Sequence, residues 1–277
     1  MSAAVPKLVA FDIDGTLVGR DGVIAARVLD AVAEMRSAGC VGMLVTGRMY
    51  RAAVGFARQL EFDAPIVCYQ GAAIVDPNTD EVLRDMPLAN AAALEVVSQA
   101  KRAGLYVQLY RNDVYYSEAS NRFSDTYAQL AGVDPVIVAS LEDAFARSDA
   151  TKAVVVTDVE TAQLFADRMR ERLDGRAYVT RSYPEFVEFL NPRVDKGDAL
   201  RFVAARLGFD MNDVIAVGDS WNDAPLLRAA GLGIAMGSAP PELLAVADIV
   251  VDDVENDGVV AAIEHAMLSA EASVRGR

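Results

Sequence analysis

The stretch Lys7-Leu8-Val9-Ala10-Phe11-Asp12-Ile13-Asp14-Gly15-Thr16 decides how the chain reads. Leu8 to Phe11 is an apolar run of the kind that forms a strand buried on both faces. It breaks into two acids, a glycine and a threonine. Side chains alternate along a strand, so Asp12 and Asp14 point one way while Ile13 points into the core. Two carboxylates on one side of a strand end repel, and a hard cation between them relieves the repulsion. Gly15 lets the backbone turn sharply and approach a ligand, and Thr16 offers a hydroxyl.

Outward from that stretch, Val23 to Ala38 reads as an amphipathic helix with Val28, Val32 and Met35 on one face, stopped by Gly39. Val41 to Val45 is a second apolar strand ending at Thr46-Gly47-Arg48. A helix from Tyr50 to Leu60 comes next, and then a third strand, Ile66 to Tyr69. Strand, helix, strand, helix, strand predicts a parallel sheet with right-handed crossovers. The pattern changes near Arg84. Helices at 88–102, 120–130, 141–146 and 160–173 alternate with strands at 105–110, 114–117, 135–138, 152–157, 176–181 and 186–190, and the first two strands turn at Asn112-Asp113. About one hundred structured residues are too many for a loop, so they read as an inserted second domain. From Lys196 the first pattern resumes: helix 197–207, then strand 214–217 ending at Gly218-Asp219-Ser220-Trp221-Asn222-Asp223. The final helix spans 258–268, and a fraying tail succeeds it.

Composition bounds the function. The chain has 277 residues, 53% of them hydrophobic, enough for a sizeable core, and its net charge of −14 argues against nucleic acid or an anionic membrane as partner. An anionic small substrate remains compatible if local cations or a metal reverse the field at the site. Cys40 and Cys68 sit in apolar surroundings and read as buried free thiols. Met1 to Lys7 lacks a secretory apolar region and no run reaches membrane-spanning length, which predicts a soluble cytoplasmic protein.

Three strands of the predicted parallel sheet end in polar clusters, Asp12/Asp14, Thr46 and Asp219/Asp223, and open parallel sheets bind ligands beyond those ends. Lys196 heads the helix before the third strand and reaches the same crevice. Carboxylate oxygens in this number suit Mg²⁺. A carboxylate beside such an ion can attack phosphorus, with lysine, a hydroxyl and loop amides holding the phosphoryl oxygens. A second carboxylate can serve the leaving oxygen as acid and the attacking water as base.

The set Asp12-x-Asp14-Gly15-Thr16, Thr46-Gly47-Arg48, Lys196-Gly197 and Gly218-Asp219-x-x-Asn222-Asp223 resembles the four motifs of the haloacid dehalogenase superfamily. Lys196 to Leu200 and Gly233 to Ala239 are similar to its Cof-type phosphatases. The resemblance implies an α/β fold: a Rossmann-like parallel-sheet core, 1–84 and 190–277, with an inserted α/β cap of the C2B type, 85–189, that selects substrate. It implies Asp12 as nucleophile and Asp14 as general acid/base, with Thr46, Gly47, Arg48, Lys196 and Asn222 around the phosphoryl group. Mg²⁺ would lie with Asp12, the Asp14 carbonyl, Asp219 and Asp223, with Asn222 and Asp223 as close support. An aspartate at 14 favours phosphatase over dehalogenase chemistry. The chain departs from the Cof pattern at Gln70-Gly71, where Asn-Gly is common, and at Val254, where Asn is common.

Arg48 either reaches substrate or pairs with nearby acids. Arg111, Tyr115, Tyr116, Arg181 and Tyr183 are candidates to read the leaving group. His265, the only histidine, falls between apolar positions of the last helix and reads as structural, so no histidine-based mechanism is available. The expected activity is Mg²⁺-dependent hydrolysis of a small phosphorylated metabolite, such as a sugar phosphate, by a monomer or homodimer. The alternatives are a phosphotransferase or mutase on the same scaffold and an idle, ligand-sensing protein.

Overall fold

A computed structural model describes residues 7–275; the amino-terminal reading over Met1 to Pro6 lies outside the described residues. A five-stranded parallel sheet runs in the order Ile249–Val250, Leu232–Ala235, Val214–Gly218, Leu8–Phe11, Val41–Leu44. Leu8–Phe11 is fully buried at the centre, as its uninterrupted apolar run requires. Its register sets where the neighbouring strands end. Phe11 lies opposite both Val217 and Leu44, so the three strands finish level with one another. The Asp12 amide donates to the Val217 carbonyl (3.0 Å) and the Val45 amide to the Phe11 carbonyl (2.8 Å), carrying the alignment one residue past the strand ends. Helices Ala26–Ser37 and Gly258–Arg275 pack on one face and Lys196–Leu207 and Ala224–Ala229 on the other.

The third strand departs from the expected crossover. Ile66–Cys68 touches the parallel sheet through a single parallel bridge, Val45 to Val67, and pairs antiparallel with Ala73–Val75, which pairs with Val82–Asp85. Tyr69, Gln70 and Gly71 take φ of 51°, 59° and 105°, and three left-handed residues in a row reverse the chain tightly. The terminal helix also differs, running on to Arg275 instead of ending at Leu268.

The inserted segment forms a six-stranded sheet in the order Tyr178–Thr180, Phe186–Leu190, Ala153–Val156, Tyr106–Arg111, Val114–Ser117, Val136–Ile137, antiparallel except for the last pair. Alternation sorts its side chains. Val107, Leu109, Ala153, Val155, Val187 and Phe189 bury against helices Asn90–Arg102 and Val159–Arg172. Tyr106, Tyr110, Val154, Phe186 and Leu190 turn the other way and join the cluster of the parallel-sheet layer. The two crossings between layers lie together: Asn191 Nδ2 donates to the Pro87 carbonyl (2.9 Å). Cys40 and Cys68 are free and buried. Among the described residues, no helix is long and apolar enough to cross a membrane.

Candidate active site

The level strand ends bring the sequence-predicted residues into one crevice. Asp12 is buried, and its Oδ1 accepts from Lys196 Nζ at 2.7 Å. Lys196 is fully buried at the first turn of a helix capped by Asp195, whose side chain accepts from the Asp198 amide at 2.7 Å. The same ammonium donates to Asp223 Oδ1 at 2.6 Å, while Asp223 Oδ2 accepts from the amides of Asp219 and Ser220, both at 3.0 Å. Asp223 thus knots the loop that presents Asp219. Thr16 Oγ1 donates to Asp219 Oδ1 at 3.3 Å. Gly15 must be glycine here: its φ is +78°, and a Cβ would stand 2.2 Å from Asp219 Oδ2.

Carboxylate oxygens of Asp12, Asp219 and Asp223 lie within 4.8 Å of one another. Burial pushes the Asp12 carboxyl up to about 7, the Lys196 charge opposing and those of Asp223 and Asp14 adding. Burial likewise lifts Asp219 well above the carboxylate range, helped by Asp12 and Asp223. For Lys196, burial works against the charge, but the attraction of Asp12 and Asp223 outweighs it, so the ammonium stays charged. One buried lysine among these acids leaves an excess of negative charge, and this donor set fits a hard divalent cation.

On the other side of Asp12, Thr46 is buried and its Oγ1 accepts from the Arg48 amide at 3.1 Å, leaving the hydroxyl proton free to donate. The Arg48 guanidinium grips Asp14 with two bonds, Nε to Oδ2 at 2.7 Å and Nη2 to Oδ1 at 2.6 Å, and lies over the Phe56 ring. Tyr183 comes down from the second sheet beside them. Burial, and next the Asp14 charge, raises its hydroxyl pKa, so it stays protonated.

Asp12, Asp14, Thr46, Gly47, Arg48 and Asn222 form one wall of a cavity, and Lys152, Val154, Ser182, Tyr183, Phe186 and Glu188 form the facing wall. Of the expected readers of the leaving group, only Tyr183 lines it. Arg181 stacks on Trp221 at 4.5 Å, and Arg111 stacks on Phe145 at 4.5 Å and donates to the Ala144 carbonyl. Tyr115 is buried against Tyr110, and Tyr116 packs edge-on against Phe145. His265 is exposed on the terminal helix and not packed between apolar residues as expected, and it is absent from the cavity wall.

Lys152 and Glu188 are the residues that sequence reasoning missed. Both are buried, and they pair at 2.6 Å. The signal was present in Phe186-Val187-Glu188-Phe189-Leu190, where alternation puts a carboxylate on the same inward face as Phe186 and Leu190.

A family model for haloacid dehalogenase-like hydrolases matches residues 9–263. The chain belongs to that family. It is 27% identical over 262 residues to the pyridoxal phosphate phosphatase YbhA of Escherichia coli, covering 91% of this chain and 96% of that protein. To the phosphoglycolate phosphatase of Methanopyrus kandleri it is 29% identical over 258 residues, covering 91% and 94%. A crystal structure of a haloacid dehalogenase-like hydrolase from Bacteroides thetaiotaomicron superposes with a TM-score of 0.82 at 27% identity, over 94% of this chain and 99% of that one. The Cof-type resemblance and the α/β core with its inserted layer stand with these matches.

Proposed function

We propose that this hydrolase is a Mg²⁺-dependent phosphatase of small phosphomonoesters, with Asp12 as the nucleophile. The observation that carries the reading is the placement of Asp12: on the central strand end, 2.7 Å from a buried lysine, and on the wall of a cavity roofed by the second sheet. Related phosphatases named for pyridoxal phosphate and for phosphoglycolate support the reaction class.

An Asp12 oxygen attacks phosphorus and the ester P–O bond breaks. Lys196 beside Asp12 offsets charge on the phosphoryl oxygens, and the Thr46 hydroxyl with the loop amides holds them. Asp14 gives a proton to the leaving oxygen. It then takes one from the water that attacks the phosphorylated Asp12, which frees the carboxylate and inorganic phosphate. Mg²⁺, held by Asp12, Asp219 and the Asp14 carbonyl with Asp223 as support, supplies further charge neutralisation when bound. Arg48 fixes the Asp14 carboxylate and stands within reach of the phosphoryl site. Residues 85–189 act as the cap, excluding water during transfer and presenting Tyr183 to the leaving group. The substrate class is a sugar phosphate or related metabolite in the cytoplasm, handled by a monomer or homodimer without nucleic acid or membrane.

The test is turnover of a panel of phosphorylated metabolites and p-nitrophenyl phosphate by wild type and Asp12→Asn, with Mg²⁺ present. Stoichiometric release of inorganic phosphate by wild type alone is expected. Turnover retained by Asp12→Asn would sink the assignment.

A further inference from the structure

Gln70 is fully buried, yet it carries a left-handed backbone (φ 59°, ψ 18°), a conformation that non-glycine residues adopt only at a cost. Its surroundings account for holding it there. Its amide donates to the Thr46 carbonyl at 3.0 Å, and its side chain lies so close to Gly47 that a Cβ there would stand 2.3 Å from Nε2. Nε2 donates to Glu188 Oε1 at 3.0 Å, and Oε1 accepts from Asn222 Nδ2 at 2.9 Å. One side chain therefore touches the phosphate loop, the metal-side loop and the inserted layer.

The direction of this chain of bonds is forced from its far end. Glu188 is paired with Lys152, which also donates to the Gly47 carbonyl at 2.9 Å. An ionised carboxylate only accepts, so Gln70 must turn its NH₂ toward Glu188 and its carbonyl toward Asn222. Asn222 must then present its NH₂ to Gln70. The Asn222 carbonyl oxygen is left over, and among the described residues Asn222 Oδ1 is the buried side-chain polar atom with no partner. Asn222 lines the catalytic cavity. An unpaired buried acceptor is costly, and such an atom at a cavity wall awaits a donor.

We propose that Gln70 is a positioning residue: it carries the polarity of the Lys152–Glu188 pair to Asn222, so that Asn222 offers the cavity a hydrogen-bond acceptor for a water. Seating of the inserted layer and completion of the phosphate site are thereby one event, because Glu188 and Lys152 reach Gln70 and Gly47 only when the two layers are in contact. The inference rests on the phosphatase reading of the same cavity.

The experiment compares Gln70→Met, Asn222→Ala, the double variant and Asp12→Asn, using p-nitrophenyl phosphate and a sugar phosphate with Mg²⁺. Methionine fills the glutamine volume without the amide. Gln70→Leu serves as a second apolar replacement, and turnover is expressed per folded molecule from circular dichroism. Gln70→Met is expected to lower kcat by about 10–100-fold, as loss of an orienting partner does, by the same factor for both substrates. KM should change far less than kcat. The double variant should be no slower than the slower single one, since both changes cut the same relay. Wild-type kcat in both Gln70 variants, losses that multiply in the double variant, or a loss confined to one leaving group would each overturn the relay. Turnover by Asp12→Asn would overturn the phosphatase reading instead; a dead Asp12→Asn beside a fully active Gln70→Met removes the relay alone.

Discussion

Arg48 holds Asp14 by two parallel hydrogen bonds, 2.7 and 2.6 Å long, across 34 residues of sequence. Only a planar guanidinium makes that fork, and Asp14 is fixed in orientation by it. Arg48→Ala is expected to lower kcat/KM by about 10–100-fold, the worth of charged hydrogen bonds of roughly 1.5–3 kcal/mol. Arg48→Lys should recover little, because an ammonium cannot bond both oxygens in parallel. Steady-state kinetics on p-nitrophenyl phosphate check both; full activity in Arg48→Lys would show that charge alone suffices.

Lys196 is the cation between Asp12 and Asp223. Replacing it by methionine strands two buried carboxylates, at a cost on the order of 3–5 kcal/mol. Urea unfolding of metal-free Lys196→Met should show that loss, and added Mg²⁺ should restore part of it. An unchanged urea midpoint would mean the pair contributes nothing net.

The raised Asp12 and Asp219 carboxyls make stability and metal binding depend on pH in a definite direction. Their protons stay on in the folded state above the pH at which the unfolded chain has released them. For Asp12 the window runs from the ordinary value of 3.8 up to about 7. Across it the folded state binds more protons, so these groups lower metal-free stability as pH rises. A divalent cation favours the ionised forms. The rise in Tm on adding Mg²⁺ is therefore expected to be larger at about pH 8 than at about pH 5. Calorimetry at both values tests this, and an equal rise at both would contradict it.

Gly15 is tied to Asp219 by space as well as by its φ of +78°. A methyl group at Gly15 would meet the Asp219 carboxylate, and Gly15→Ala should weaken Mg²⁺ activation at least about tenfold, the scale seen when the surroundings of a metal ligand are disturbed. A Mg²⁺ titration of turnover reads this out; a wild-type activation curve would show that Asp219 can move aside at no cost.

How much of the site was legible in the sequence differs with what each residue depends on. Asp12, Thr46 and Asp219 were readable because each ends an apolar strand, and parallel strands in register finish together. Lys196 was readable from its place at a helix start next to glycine. The hairpin after Cys68 was not, because nothing in Tyr69-Gln70 announces two non-glycine residues with positive φ; their side-chain partners lie far off in the chain. The Lys152–Glu188 pair was hidden for the same reason. It joins the residue just ahead of strand Ala153–Val156 to strand Phe186–Leu190, and its bonds to Gly47 and Gln70 span 105 and 118 residues. Tyr183 reaches the cavity wall from the turn between Thr180 and Phe186, whereas Arg111 and Tyr116 pack on Phe145 on the far face of the sheet, and Tyr115, though on the core-facing side, is buried against Tyr110.

The proposed chemistry stands or falls on whether Asp12 carries the phosphoryl group. Rapid quench during turnover with Mg²⁺, then borohydride reduction, converts an acyl phosphate to an alcohol, and peptide mass spectrometry locates it. Homoserine is expected at position 12, and only when substrate is present. A phosphoryl group trapped on any other residue, or none trapped at any quench time while Asp12→Asn still turns over, would contradict the assignment.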